Sequence, residues 1–361
     1  MSALFTPLRL RGTVFANRAW MSPMCQYSSV EGMPTGWHVQ HLVSRAVGGA
    51  GLVMTEATAV SPRGRITPKD AGLWSHRHAD AYADITAAIR EHGSVPGVQL
   101  SHAGRKSSTT LLWEPVGSVP PEEGGWQPEG PSTLPFGNLA EPRAMDQDDI
   151  ETVVADFARA AELALIAGFE VAEIHAAHGY LLHAFQSPLS NLRSDSYGGT
   201  YDNRVRLTLR VAAAVREVWP EERPVFVRVS ATDWAECGWT SHETVALTRQ
   251  LAELGIDLID VSTGGAVPDA QIPVAPGYQI PFAEQVRAHG GLPTAAVGLI
   301  TEPEQAETIL RDGSADAVFL GRVLLRDPYW PRRAAHQLGH DLPWPNQYGT
   351  GKWRGALATQ V

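Results

Sequence analysis

The feature that most constrains this chain is a regular alternation of short apolar runs with amphipathic, Ala-rich stretches. In the stretch that begins at Asp148, apolar residues such as Ile150, Val153 and Phe157 recur at spacings of three and four, which is typical of a helix with one apolar face. The pattern predicts eight strands, and a helix after each. The strands are expected at 20–24, 52–57, 97–101, 170–175, 225–230, 258–261, 294–297 and 317–320, and the helices at about 36–48, 78–92, 148–167, 202–218, 242–254, 278–289, 302–312 and 328–338.

Eight strands that are each followed by a helix predict an α/β fold, a single (β/α)8 TIM barrel. An open doubly wound sheet is the alternative, but its G-x-G-x-x-G loop is missing after the first strand. We expect one domain over residues 1–361. Three segments lie outside the repeat: an N-terminal β-hairpin within 1–17 that we expect to plug the barrel floor, a long loop at 107–145, and a C-terminal tail at 339–361.

Composition restricts the partners. The chain has 29 Lys+Arg against 39 Asp+Glu, a net charge of −10, which argues against a nucleic-acid binder. The two cysteines, Cys25 and Cys237, are too few for a disulfide framework or a four-cysteine cluster. No apolar run approaches the roughly 20 residues of a membrane helix, and the N-terminal residues lack a signal-peptide pattern. A cytoplasmic protein without membrane partners is expected.

Polar residues fall at the ends of the predicted strands, where (β/α)8 barrels carry their chemistry. If His175 faces the barrel interior, then Glu173 and Val171 do so as well, because side chains alternate along a strand. The same rule places Phe226 and Ser230 on the side of Arg228. The strand-end residues are Ser22, Pro23, Met24 and Cys25 after strand one, Gln99 in strand three, His175, His178 and Tyr180 at strand four, Arg228 in strand five, Gly298 after strand seven, and Gly321 and Arg322 after strand eight.

Gly298, Gly321 and Arg322 are candidates for a phosphate site. The loops after strands seven and eight form the usual phosphate site of such barrels, and a short helix is expected at 323–326. Glycine lets the backbone approach an anion, and arginine adds a two-pronged cation. The alternative is an ordinary turn with a surface arginine.

His175 and His178 allow three interpretations. They could bind a metal, although no third ligand accompanies them, or they could be structural hydrogen-bonding residues. In the third interpretation they donate to a substrate oxygen that gains negative charge, and Tyr180 supplies a proton. The presence of Tyr180 two residues after His178 favours the third.

Three further residues have competing interpretations. Cys25 is a small core residue, a thiol nucleophile or a contact that tunes a cofactor, whereas Cys237 has no special role. Arg228 is either a structural ion pair with Glu173 or a cation beside an anionic cofactor ring. Gln99 can donate and accept together, which suits a heterocycle.

Taken together, these motifs resemble the Old Yellow Enzyme family of FMN-dependent ene-reductases, in the class of xenobiotic reductase A. The resemblance covers nearly the whole chain. It is carried by Ser22-Pro23-Met24-Cys25-Gln26-Tyr27, Thr55-Glu56-Ala57-Thr58, Gln99-Leu100-Ser101-His102-Ala103-Gly104-Arg105-Lys106, Glu173-Ile174-His175-Ala176-Ala177-His178-Gly179-Tyr180-Leu181, Ser187-Pro188-Leu189-Ser190-Asn191, Tyr197-Gly198-Gly199, Phe226-Val227-Arg228-Val229-Ser230 and Gly321-Arg322.

The resemblance implies a noncovalent FMN at the barrel mouth, with NADPH as the hydride donor. Flavin N5 would deliver hydride to the C=C bond of an α,β-unsaturated carbonyl compound, and Tyr180 would protonate the product. His175 and His178 would bind the carbonyl, and Tyr27 would contact the substrate. The implied FMN contacts are Ser22, Pro23, Met24, Cys25, Ala57, Gln99, Arg228, Gly298, Gly321 and Arg322.

The family also implies a homodimer or homotetramer whose C-terminal Arg and Trp reach a neighbouring active site. Trp353 matches that aromatic residue and would contact substrate. The arginine has no clear counterpart, since Arg354 follows Trp353 and Lys352 is the other basic residue. Two alternative functions stay open: a non-catalytic flavin-binding redox sensor that uses Cys25, and a metal-dependent barrel lyase that uses His175 and His178.

Overall fold

The structure is a computed structural model that describes residues 2–353. The strands in that range, in chain order, are β1 (Leu8–Leu10), β2 (Thr13–Phe15), β3 (Ala19–Met21), β4 (Leu52–Ala59), β5 (Val95–Ser101), β6 (Glu129–Gly130), β7 (Arg143–Ala144), β8 (Val171–Ala176), β9 (Val225–Ser230), β10 (Leu258–Ser262), β11 (Thr294–Ala296) and β12 (Ala317–Leu320). The α-helices are α1 (Gly36–Val47), α2 (His76–Glu91), α3 (Gln147–Ile166), α4 (Leu181–Gln186), α5 (Tyr201–Val218), α6 (Ser241–Glu253), α7 (Ile280–Gly290), α8 (Pro303–Arg311), α9 (Arg322–Arg326) and α10 (Trp330–Gln337).

Eight of these strands close into one parallel barrel, in which β3, β4, β5, β8, β9, β10, β11 and β12 follow one another around the ring. The predicted (β/α)8 barrel is therefore confirmed, together with its N-terminal hairpin. The register sets functional neighbours side by side, since His175 lies opposite Arg228 and Arg228 lies opposite Asp260. The carboxyl ends of all eight strands consequently meet at one rim.

The predicted strands at 225–230 and 317–320 are confirmed to the residue, and the eight predicted helices begin and end within two residues of the observed ones. The first strand differs, because it ends at Met21 rather than at residue 24. Pro23, Met24 and Cys25 therefore belong to the following loop. The sequence pattern missed α4 and the short β6–β7 pair, since elements of two to six residues contain too few positions to show a period.

The floor of the barrel is apolar, and the N-terminal hairpin of β1 and β2 closes it. The ring of Phe15 lies 4.7 Å from that of Trp20 and 6.2 Å from that of Phe226, measured between centroids. All three side chains are fully buried. These aromatic rings fill the end of the barrel opposite to the rim, which is the position predicted for the N-terminal hairpin.

The helices cover the outside of the barrel with their apolar faces. In α3, Asp146 caps the first turn by accepting a hydrogen bond of 2.9 Å from the Asp149 N–H. Ile150, Val153 and Phe157 then point to the core. Among residues 2–353, no helix combines the length and the apolar character that a membrane crossing requires.

Candidate active site

Above the apolar floor, the barrel interior becomes polar. Val171 packs with the floor cluster, whereas Glu173 and His175, two and four residues further along β8, are buried polar groups. Gln99 Nε2 donates to Glu173 Oε1 at 2.7 Å, which leaves Glu173 Oε2 buried without a partner. The predicted alternation is thus observed, and it builds a layer of buried polar and ionisable side chains directly below the rim.

Arg228 is the cation of this layer, and its partner differs from the one considered in the sequence. Its Nε lies 3.0 Å from Asp260 Oδ2, and its Nη1 donates to Ser22 Oγ at 3.3 Å. The suggested ion pair with Glu173 is therefore wrong, because the parallel register sets Asp260 directly beside Arg228. Burial raises the pKa of Glu173 and of Asp260, and the carboxyl of Asp260 raises that of Glu173 further.

His175 and His178 lie side by side at the rim. Their ring centroids are 5.1 Å apart, and the rings are nearly perpendicular at 84°. His175 Nδ1 accepts a hydrogen bond of 3.2 Å from the Ala177 N–H, so its proton resides on Nε2. Burial, followed by the positive charge of Arg228, holds the pKa of both imidazoles well below the usual value of 6.5. The pair is neutral at physiological pH and can donate a hydrogen bond to an oxygen.

His178 is held by its backbone and by its ring. Its backbone has a φ of +60°, and the His178 N–H donates to Ser230 Oγ at 2.9 Å. Its Nε2 lies 2.7 Å from Ser262 Oγ, which contacts Gln279 Oε1 at 3.4 Å. Three neighbouring strand ends thus position one imidazole. Ser262 and Gln279 have no distinctive sequence motif, and only the assembled barrel identifies them.

Tyr180 completes this side of the rim. Its ring packs edge-on against that of His175, with centroids 5.0 Å apart. Burial raises the pKa of its phenol, and the neighbouring thiol of Cys25 adds to this shift. Lys106 Nζ lies 5.3 Å from the centre of the Tyr180 ring and donates to the carbonyl of His178 at 2.8 Å. Burial and then Arg105 lower the pKa of Lys106 to about 7.

A second buried network lies below the turn that carries His178 and Tyr180. Gly179, between them, donates its N–H to His183 Nδ1 at 2.8 Å. His183 Nε2 lies 3.0 Å from Asp233 Oδ1, and both side chains are fully buried. Asp233 therefore selects the imidazole tautomer that can accept from Gly179. The sequence analysis missed both residues. The one available signal was a further histidine, His183, five residues after His178.

The loop after β3 brings Cys25 and Tyr27 to the same rim. Glu56 anchors this loop, since its Oε2 accepts from the Gln26 N–H at 3.0 Å while its Oε1 lies 3.0 Å from His38 Nε2. Tyr27 has a φ of +52° and packs edge-on against Trp113 at 5.7 Å. Burial, then Asp70 and Glu56, raise the pKa of the Cys25 thiol well above 9. Cys25 is therefore a neutral thiol, which disfavours a thiolate nucleophile.

A cavity of about 250 Å³ lies across the ends of β11 and β12 and contains the predicted phosphate residues. Gly298 has a φ of +117°, and a Cβ there would come within 2.7 Å of Gln279 Nε2. A Cβ on Gly321 would meet only Met24 Sδ, at 3.9 Å, so the backbone of Gly321 stays accessible. Arg322 contributes an exposed guanidinium. These residues fit a phosphate. The buried guanidinium of Arg228 fits a cofactor ring that carries negative charge.

One predicted contact lies elsewhere. Trp353 is 42% exposed and stacks on His336 of α10 at 4.8 Å, so it reaches no rim residue of its own chain. Its predicted contact with substrate would need a second subunit. Arg354 lies outside the described residues. Across residues 2–353, no three His, Cys, Asp or Glu side chains are grouped to hold a metal, so the lyase alternative has no third ligand there.

A parallel barrel with a cavity across the ends of β11 and β12, a buried guanidinium and two neutral imidazoles at one rim is the arrangement of a flavin-binding barrel oxidoreductase. The comparisons with known proteins agree. Residues 3–341 match the model of the NADH:flavin oxidoreductase / NADH oxidase family. The chain belongs to this family, and its Old Yellow Enzyme-like members are the relatives that the sequence motifs indicated.

Several relatives are similar over nearly their full length. An NADPH dehydrogenase of Bacillus licheniformis is 48% identical over 96% of this chain and 97% of its own. That of Bacillus subtilis is 44% identical over 96% and 98%. Among solved structures, the Old Yellow Enzyme homologue from Zymomonas mobilis is 28% identical over 91% of each chain, with a TM-score of 0.76. Morphinone reductase in complex with tetrahydroNAD is 28% identical over 98% and 95%, with a TM-score of 0.78.

Family membership confirms the prediction of an enzyme, a flavin oxidoreductase that holds FMN noncovalently. The predicted hydride donor, NADPH, agrees with the name of the bacterial relatives. The roles predicted for individual side chains remain predictions.

Proposed function

We propose that this protein is an NADPH-dependent ene-reductase that reduces the C=C bond of α,β-unsaturated carbonyl compounds. The observation that carries the proposal is the rim itself, where the ring of His175 lies 5.1 Å from that of His178 and 5.0 Å from that of Tyr180, measured between centroids. The two imidazoles are neutral, and the phenol is protonated. Such a site can bind a carbonyl oxygen and supply a proton to the neighbouring carbon. The relatives named NADPH dehydrogenase support the choice of donor.

Gly298, Gly321 and Arg322 would hold the FMN phosphate, and Gln99 and Arg228 would contact its ring. When bound, FMN supplies the hydride that NADPH has provided. The guanidinium of Arg228 favours negative charge beside it, and Asp260 fixes its orientation through their 3.0 Å contact. Cys25, as a neutral thiol, contributes a polarisable contact rather than a charge.

The His pair would bind and polarise the substrate carbonyl. His175 carries its proton on Nε2, because Nδ1 is already an acceptor. His178 Nε2 is engaged by Ser262 Oγ at 2.7 Å, which holds the second ring in place before substrate arrives. His178 would therefore donate to the substrate from Nδ1, with Ser262 donating to Nε2. Such preorganised donors stabilise the charge that develops on the oxygen and need no rearrangement during the reaction. Tyr27, on the opposite loop, would contact the bound substrate.

Tyr180 would donate the proton to the α-carbon. Its raised pKa keeps the phenol protonated at neutral pH, so it is an acid with a proton to give. Because the ring of Tyr180 packs against that of His175, the proton donor and the carbonyl site have a fixed relation. Tyr180→Phe removes the proton and keeps the ring, which makes it the most selective test of the proposal.

The test is anaerobic stopped-flow measurement of each half-reaction. In Tyr180→Phe we expect flavin reduction by NADPH to persist, while reoxidation by 2-cyclohexenone slows by about 10²-fold or more. Tyr201→Phe serves as the matched control, because Tyr201 begins α5 on the outside of the barrel and its hydroxyl contacts Gln250. Equal slowing of both half-reactions would contradict the role of Tyr180 as proton donor.

We also propose that residues 1–361 form one FMN-binding domain, which assembles as a homodimer or homotetramer. Support comes from the tail, where Trp353 and Tyr348 each leave 42% of their surface exposed. In that assembly Trp353 would contact substrate in a neighbouring subunit. Sedimentation of the full chain, followed by truncation after residue 344, tests the assembly and the contribution of the tail to enone turnover.

A further inference from the structure

We propose that the cleft beside Tyr180 binds a long or aromatic apolar substituent of the unsaturated carbonyl substrate; the inference rests on the proposed function. The cleft has a volume of about 470 Å³. Lys106 and Tyr180 form its inner end, and the ring of Tyr180 contacts His175 there, so the cleft opens directly from the reaction site. Its walls include Ile66, Thr109, Val116, Phe136, Leu139 and Pro268.

One buried arginine holds the two segments that form the walls, the segment of Phe136 and the segment of Pro268. Arg105 is 2% exposed. Its Nη1 donates to the Pro135 carbonyl at 3.3 Å, which fixes the residue before Phe136. Its Nη2 donates to the carbonyl of Ala266, two residues before Pro268. The cleft is thus held open between two anchored segments, and a ligand would not have to order them.

Of the polar side chains that line the cleft, Lys106 and Thr109 are bonded within the protein, Asn138 is exposed to solvent, and Tyr180 is the proposed proton donor. Lys106 Nζ donates to the carbonyls of His178 and Gly265, at 2.8 and 3.1 Å, and lies 4.1 Å from the centre of the Phe136 ring. The Thr109 hydroxyl donates to a backbone carbonyl at 3.1 Å. With these donors committed, the cleft offers apolar surface rather than a free cation for an anionic group. Alkyl or aryl substituents are the chemical class that such a surface binds.

A homologous series of substrates measures this binding. In linear 3-alken-2-ones, from 3-penten-2-one to 3-nonen-2-one, the alkyl group lengthens while the reacting enone stays nearly the same. Each methylene that is buried adds about 0.8 kcal/mol, so we expect kcat/KM to rise about fourfold per added carbon until the cleft is filled.

Val116→Trp adds a bulky ring at the edge of the cleft, at a position that is 94% exposed and where the substitution does not disturb the core. We expect this variant to flatten the dependence of kcat/KM on chain length. Val14→Trp is the matched control, because Val14 is an exposed valine in β2 at the opposite end of the barrel. The control should keep the slope of the wild-type protein.

Three outcomes would overturn the inference. A wild-type protein that reduces the shortest enone with no dependence on chain length would overturn it alone. So would a Val116→Trp variant that keeps the full slope and instead raises the KM for NADPH, since the cleft would then serve the nicotinamide donor. If the wild-type protein reduces no member of the series, nor 2-cyclohexenone, the proposed function fails as well.

Discussion

The two ends of the barrel are built from the same strands, but one end is apolar and the other is polar. At the floor, Val171 and Phe226 pack in an apolar cluster with no charge. Two residues further along the same strands, Glu173 and Arg228 are buried ionisable groups, and Glu173 Oε2 has no hydrogen-bond partner. Two residues along a strand span about 6.6 Å. This distance separates a region that stabilises the fold from the region that we propose binds cofactor and substrate.

The comparison implies that the two ends can be damaged separately. Substitutions at the floor should reduce the free energy of unfolding and leave the chemistry of the folded enzyme intact. Substitutions at the rim should impair the chemistry and change the free energy of unfolding much less, because buried polar groups with incomplete partners contribute little to stability.

The largest expected effect is at the rim. The double variant His175→Ala/His178→Ala removes both proposed donors to the substrate oxygen, and one such donor is typically worth about 10²–10³ in rate. We expect reoxidation by 2-cyclohexenone to slow by about 10⁴-fold or more. The visible spectrum of bound FMN should be retained. A variant that loses FMN would place the pair in cofactor binding instead.

The next effect is at the floor. Phe15→Ala removes a fully buried ring from the plug and should lower the free energy of unfolding by about 3–5 kcal/mol. The turnover of the folded fraction should not change. Val14→Ala, at the exposed neighbouring position, should change stability by less than about 0.5 kcal/mol. Denaturant titration followed by tryptophan fluorescence measures both, and a fall in turnover per bound FMN would break the separation.

A smaller effect is expected below the rim, where Asp233 holds His183, which in turn accepts from Gly179 in the turn that carries His178 and Tyr180. In Asp233→Asn the side-chain amide can donate to His183, which would move the imidazole proton to Nδ1 and oppose the Gly179 N–H. We expect kcat for enones to fall about 10- to 100-fold, with KM and flavin reduction by NADPH unchanged. Asp202→Asn is the surface control. General damage to the fold would instead slow both half-reactions.

The smallest expected effect is the response to pH. Burial and Arg228 lower the pKa of His175 and His178 well below 6.5, so both imidazoles stay neutral at the pH where a free imidazole titrates. The rate of reoxidation by 2-cyclohexenone should therefore show no acid limb with a midpoint near 6.5. The control is the double variant without imidazoles. A limb in the wild type that disappears in that variant would show that the histidines titrate.

Much of this architecture follows from the sequence. Eight strands that alternate with amphipathic helices predict the barrel, and strand ends predict where polar side chains meet, which is how Gln99, His175 and Arg228 were found. The hairpin at 8–17 was predicted because it lies outside the repeat, and Phe15 now explains its role as a plug.

Contacts between distant strands could not be predicted in the same way. Asp260 lies in an apolar run, and nothing in the local sequence indicates a partner for it. The parallel register of β9 and β10 places it beside Arg228. Ser262, Gln279, His183 and Asp233 act through side-chain contacts that no local spacing reveals. Pairing of strands, rather than local periodicity, decides these partners.

The account depends most on the claim that the rim couples a flavin to an enone. The direct measurement is the visible spectrum of the purified full-length protein, titrated anaerobically with NADPH and then with 2-cyclohexenone. We expect a yellow protein whose absorbance bleaches with one equivalent of NADPH and returns when the enone is added. A colourless protein that takes up no FMN, or a bleached spectrum that the enone leaves unchanged, would contradict the account.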